Sequence, residues 1–88
     1  MEYKVYILYS KKLDRYYKGF TKNLEKRLEK HNNGGSTYTS SGMPWKLITF
    51  IDKETRKEAL ALERKLKNLN RKRFEDFIQK YRISDGHD

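Results

Sequence analysis

The sequence predicts a small α/β domain of the α+β kind: a three-stranded antiparallel sheet with flanking helices, in the order β-β-α-β-α-α. Three observations predict it. Two strand-like runs face each other across a short polar turn, three capping signals each open an apolar stripe of helical period, and a chain of 88 residues holds one domain and no more.

The first strand is Tyr3 to Ser10, where Tyr3, Val5, Ile7 and Tyr9 alternate with Lys4, Tyr6, Leu8 and Ser10. Lys11 to Asp14 is a polar turn, and Tyr16-Tyr17-Lys18-Gly19-Phe20 is a second strand. If Ser10 pairs with Arg15 across that four-residue loop, Tyr6 lies opposite Gly19 and Leu8 opposite Tyr17. Directly opposed residues share a face, so Tyr6 and Tyr17 then point the same way. The first helix is expected from Leu24 to Asn32, capped by Thr21 or Asn23, with Leu24, Leu28 and His31 on one stripe and Arg27 at its border. Asn33-Gly34-Gly35 ends it, and the segment to Pro44 reads as loop. The third strand is Trp45 to Ile51. Thr55 and Glu58 match a capping box, and Ala59, Leu62, Leu66 and Leu69 form the stripe of the second helix. Asn70 is expected to cap a third helix carrying Phe74, Phe77, Ile78 and Tyr81. The domain is expected over residues 1–83, with a frayed tail at 84–88.

Composition narrows the function classes. Aliphatic side chains are few, but seven Tyr, four Phe and one Trp supply the core, since each aromatic buries roughly 150–250 Å². Cysteine is absent, which removes disulfides and thiolate zinc sites. No run approaches the roughly 20 apolar residues of a membrane span. The opening Met1-Glu2-Tyr3-Lys4 lacks a secretory pattern, so a cytoplasmic location is expected. Lys and Arg total 21 against 12 Asp and Glu, a net charge of +9. Charge that dense on a small body draws polyanions through counterion release, although it also serves solubility.

Few residues could carry chemistry. No Ser-His-Asp arrangement is evident, and Gly34-Gly35 lacks the Lys and helix that follow in a phosphate-cradling loop. Each remaining candidate has a plain structural reading. Tyr6 and Tyr17 suit a core, Arg27 a solvated surface, and His31 the negative end of a helix dipole. Glu63 suits a surface ion pair, and Gly19 a β-bulge or a place where a ligand approaches the backbone.

Taken in order, Lys4-Val5-Tyr6-Ile7, Tyr16-Tyr17-Lys18-Gly19, the run from Leu24 through Arg27 to His31, Pro44-Trp45-Lys46-Leu47, Glu58-Ala59 and Glu63 resemble the GIY-YIG nuclease family, and its small stand-alone bacterial members in particular. The resemblance spans residues 3 to 80 and implies a divalent-metal-dependent endonuclease that hydrolyses DNA phosphodiesters. It implies catalytic roles for Tyr6, Tyr17, Arg27, His31 and Glu63, with Glu63 as the ligand of Mg²⁺ or Mn²⁺ and Gly19 as the point of close backbone approach. Mg²⁺ keeps several waters, so one carboxylate plus phosphate oxygens can hold it. An unperturbed tyrosine titrates near 10, so Tyr6 needs cationic neighbours, the metal or His31 to act as a base. Lys18 stands where the family has an aliphatic residue, and its side chain should point to the sheet face away from Tyr17.

Lys22, Lys26 and Lys30 along the first helix, with Arg64, Lys67 and Arg71 later, form a candidate track for a phosphate backbone. DNA, or RNA as the related polyanion, is the expected partner, with structure-dependent or weakly specific binding at branched or damaged sites. The Ser36–Gly42 loop, with Tyr38, is a further candidate contact. Two other classes stay open: a non-catalytic nucleic-acid-binding module with a vestigial site or a protein partner, and a structural module whose charge serves solubility. Metal preference, substrate structure and oligomeric state are not legible.

Overall fold

A computed structural model describes residues 3–35 and 39–81. Its elements run β1 (Tyr3–Ser10), β2 (Arg15–Thr21), α1 (Leu24–Asn32), a 3-10 turn (Ser40–Gly42), β3 (Trp45–Lys53), α2 (Arg56–Lys67) and α3 (Arg71–Tyr81). The antiparallel sheet has the order β2-β1-β3, so the first strand is its centre and β2 an edge. The expected fold class and element order are present, with β2 and β3 each two residues longer than expected.

The hairpin register is the one a four-residue loop dictates, with Ser10 opposite Arg15, Leu8 opposite Tyr17 and Tyr6 opposite Gly19. Asp14 closes the loop at φ 53°, a left-handed conformation that Asp tolerates. Its carboxylate accepts from the Tyr9 hydroxyl at 2.7 Å and from Arg71 at 2.8 Å.

Alternation along β1 feeds two interiors. Val5 and Ile7 meet Ala59 and Leu66 of α2 and Phe74 and Ile78 of α3 in one apolar cluster. Tyr6 and Leu8 meet Trp45, with Tyr17, Leu24 and Leu28 packed around them. The β1–β3 ladder slips by one residue between Ile7 and Leu8. A bulge of this kind resets the alternation. Leu47 and Phe50, out of phase by simple count, therefore both face the Tyr6 side, while Ile48 packs on the other.

The helix caps follow the sequence. Asn23, rather than Thr21, accepts the Lys26 N–H at 3.1 Å, and Thr21 braces Asn23 instead. Thr55 accepts from the Glu58 N–H at 3.1 Å, but Glu58 returns its bond to the Glu54 N–H at 3.2 Å, one residue earlier than a strict capping box. Asn70 caps α3 through the Arg73 N–H at 2.9 Å. Tyr81, expected on the apolar stripe, is 48% exposed and stacks beside Phe77 at 4.7 Å. Lys18 lies on the face away from Tyr17, as expected. It is half-buried, with its ammonium 4.3 Å from the centre of the Phe74 ring. Its stem thus fills apolar space while a cation–π contact holds the head. Among the described residues, no helix is long and apolar enough to cross a membrane.

Candidate active site

The site grows from the centre of β1. Tyr6 is fully buried, opposed by Gly19 on one side and Phe50 on the other. A β-carbon at Gly19 would sit 2.8 Å from the Tyr6 hydroxyl oxygen and 3.2 Å from Cε2 of Tyr17. Any larger residue would displace the phenol. The close approach that Gly19 permits is therefore made by Tyr6 itself, and the β1–β2 ladder runs through Gly19 without a bulge. Tyr17 lies alongside, its ring 6.1 Å from that of Tyr6 and 4.8 Å from that of His31.

Helix α1 supplies the polar partners. Arg27 and His31 are four residues apart and share a helix face. His31 Nε2 is 3.0 Å from the Tyr6 hydroxyl, and Arg27 Nη1 donates to the same oxygen at 3.4 Å. The other imidazole nitrogen, Nδ1, is 2.9 Å from Oγ1 of Thr39. Trp45 Nε1 donates in turn to the Thr39 carbonyl at 2.8 Å. The next residue of α1 fixes the helix end: the Asn32 amide accepts from the Trp45 N–H at 2.6 Å and donates to its carbonyl at 3.0 Å. His31 and Thr39 are almost wholly buried, and no buried side-chain nitrogen or oxygen among the described residues lacks a partner.

Burial sets the charge state. It is the main force pushing the Tyr6 phenol up to about 12, aided by Tyr17 and opposed by Arg27. His31 is held below the ordinary imidazole range, first by burial and then by the positive charges of Arg27 and Lys30. The dipole reading of His31 needs a favoured cation, and the structure instead favours a neutral ring. At neutral pH the pair is a protonated phenol beside a neutral imidazole. Both neutral tautomers fit the hydrogen-bond geometry. With the proton on Nδ1, donated to Thr39, Nε2 accepts from Tyr6.

Tyr6, Tyr17, Gly19, Arg27 and His31 are thus brought together on one sheet face. Glu63 comes from α2, which packs on the opposite face. Its side chain is 14% exposed, and its carboxylate is 3.4 Å from the Lys67 ammonium. Lys67 reaches the free edge of β2, where it lines a cavity of about 510 Å³ with Tyr16, Tyr17 and Lys18. Among the described residues, no three His, Asp or Glu side chains converge as a metal cluster.

The basic residues divide. Lys26 and Lys30 are exposed along α1, Arg64 is exposed on α2, and Lys22 rests 5.2 Å from the Tyr3 ring. Arg71, expected to contact nucleic acid, has three of its donors committed. Nη2 and Nη1 bind the Asp14 carboxylate and carbonyl at 2.8 and 3.1 Å, and Nε binds Glu75 at 3.0 Å. Its place is as a clamp between the hairpin turn and α3. Of the Ser36–Gly42 loop, residues 36–38, including Tyr38, lie outside the described residues. Thr39 and Gly42 are packed inside.

Thr39, Asn32 and Trp45 are parts of this site that sequence reading missed. Thr39 sits in a run whose composition signals only a loop, and nothing local marks it as the partner of a histidine eight residues earlier.

Comparison with known proteins gives one result throughout. The profile of the GIY-YIG catalytic domain matches residues 2–82. A UPF0213 protein of Bacillus cereus is 41% identical over 66 residues, covering 74% of this chain and 69% of the relative. One from Clostridium perfringens is 46% identical over 68 residues, covering 76% and 72%. The solution NMR structure of a UPF0213 protein from Bacillus halodurans superposes with a TM-score of 0.61 at 31% identity, covering 91% of this chain and 85% of that one.

Proposed function

The chain belongs to the GIY-YIG family, whose members are typically nucleases, and from that premise we propose that it is a divalent-metal-dependent endonuclease that hydrolyses DNA phosphodiester bonds with structure-dependent or weak sequence preference. The observation that carries the reading is the buried contact of Tyr6 with His31 at 3.0 Å, with Arg27 on the same phenolic oxygen.

In this reading water attacks the phosphorus and the bond to the 3′ oxygen breaks. The water's proton passes to the Tyr6 oxygen as the Tyr6 proton passes to Nε2 of His31, and solvent protonates the leaving oxygen. A phenol held near 12 is too weakly acidic to work as a free phenolate. A neutral imidazole beside it removes the need, and Thr39 keeps that ring aligned. Arg27 offers a planar cation to the phosphate, for which Lys is a poor substitute.

Glu63 would hold the cation. A carboxylate oxygen suits a hard ion that keeps its waters, and the 3.4 Å contact with Lys67 is looser than a tight charged hydrogen bond, so the carboxylate already sits where a positive charge is tolerated. When bound, Mg²⁺ or Mn²⁺ would neutralise the charge that builds on the phosphoryl and leaving oxygens.

The Glu63–Lys67 pairing also favours a second reading, a module that binds nucleic acid without cutting it. A cleavage assay on single-stranded, duplex and branched DNA, with Mg²⁺ or Mn²⁺, separates the two. Wild type should cut only with metal, and Glu63→Ala should lose about 100-fold or more in rate while still binding. Binding by both proteins with cutting by neither establishes the module instead.

A further inference from the structure

We propose that the cavity over the free edge of β2 is a phosphate subsite for the nucleic-acid strand beside the cut, with Lys18 and Lys67 as its contacting residues. This rests on the nucleic-acid reading of the neighbouring site and extends it to a residue, Lys18, where the family pattern has an aliphatic side chain.

The argument is geometric first. An edge strand presents side chains from both of its faces to one rim, and here the rim gathers Tyr16, Tyr17, Lys18 and Lys67 around about 510 Å³. That volume falls within the range of small-ligand sites, roughly 300–1,000 Å³. Two ammonium groups therefore share one opening. Lys67 has Glu63 at 3.4 Å and remains 55% exposed, whereas no carboxylate among the described residues pairs with Lys18. Lys18 has the face of Phe74 instead. Burial, and then the charge of Lys67, disfavour its protonated form. An anion entering between the two relieves both penalties at once. Tyr17 forms the wall towards the site, and its ring lies 4.8 Å from His31, so an anion held here adjoins the reacting groups. Two tyrosines flanking two cations also suit a nucleotide better than a bare ion, because bases stack on aromatic faces.

The test pairs a variant with a direct measurement on the unaltered chain. Lys18→Met keeps the stem on Phe74 and removes the charge. Lys46→Met removes an equal charge from exposed β3, at the far edge of the sheet. For a fluorescein-labelled 12-nucleotide single strand, Lys18→Met should weaken binding about threefold to tenfold. It should also flatten the dependence of log K on log salt by about 0.7, while Lys46→Met changes neither. In wild type, the ¹³Cε signals of Lys18 and Lys67 should shift on titration with inorganic phosphate, and the titration of Lys18 should move to higher pH. If the strand binds but both variants behave alike, the subsite is wrong and the nuclease reading stands. If phosphate shifts both lysines but no strand binds, the cavity is a site for a small phosphate only, and the subsite as proposed falls together with the nucleic-acid reading. If neither phosphate nor the strand moves the Lys18 signal, the subsite is overturned whatever else binds.

Discussion

Strand β1 serves two interiors, and their difference separates an apolar support from the polar side that carries the candidate site. Towards α2 and α3, Val5 and Ile7 pack against the buried Ala59, Leu66, Phe74 and Ile78, with Lys18 and the buried Thr49 beside Ile7 in the sheet as the polar exceptions. Towards α1, the equally buried Tyr6 meets an imidazole, a guanidinium and, one step on, a threonine hydroxyl. Dispersion and water exclusion stabilise the first side. The second spends part of its volume on polar groups, which are tolerable only because each has a partner. A domain this small has little core to spare, so a polar chain beneath its central strand points to a use other than stability.

The comparison can be broken from either side. The largest expected effect is on the apolar side. Phe74→Ala should lose about 3–5 kcal/mol, most of what a domain of this size holds. Urea denaturation followed by circular dichroism would then show a chain largely unfolded without denaturant. A variant that kept its wild-type midpoint would mean that this cluster is not the main support. Gly19→Ala probes the seam between the two sides. Its methyl group would meet the Tyr6 hydroxyl at 2.8 Å, so a loss of about 1–3 kcal/mol is expected. Cleavage should fall with it, because the phenol has to move off His31. Unchanged melting and cleavage would show that the phenol position is not set by this contact.

These effects also show what was legible in the sequence. Loop length and alternation placed Tyr6 opposite Gly19 and Tyr17 on the same face, because pairing across a short hairpin is local arithmetic. The bounds of α1 followed from side chains adjacent in the chain, which narrowed its cap to Thr21 or Asn23 without separating the two. The bulge that turns Leu47 and Phe50 to one side was not legible, since it depends on how two distant strands settle into register. The Arg71 clamp was hidden for a related reason. Its partner Asp14 lies 57 residues earlier, and both read as ordinary surface charges. Thr39 was hidden in a loop that composition alone could not fold. Local chemistry was readable; the contacts that assemble the site around His31 were not.

A smaller effect sharpens the comparison through pH. The folded chain keeps His31 below its ordinary range, whereas the unfolded chain does not. Below about 6.5 the unfolded state therefore takes up a proton that the folded state still resists. The stability associated with neutral His31 is full above that pH and is lost as pH falls through the window beneath it. Urea midpoints at pH 8 and pH 5.5 should drop more in wild type than in His31→Asn. Equal drops would contradict the buried neutral imidazole. Cleavage should decline on the same side, since a protonated His31 cannot accept from Tyr6.

The most direct measurement removes one oxygen. Tyr6→Phe leaves the ring over Gly19 and deletes only the hydroxyl that His31 and Arg27 share. Single-turnover cleavage and thermal melting should be followed on the same preparation, with DNA binding alongside. The account predicts a rate lower by about 100-fold or more, a stability loss of only about 1–3 kcal/mol from the unpaired partners, and unchanged binding. A Tyr6→Phe protein that cuts at the wild-type rate would show that the polar side of the sheet is not where the chemistry lies.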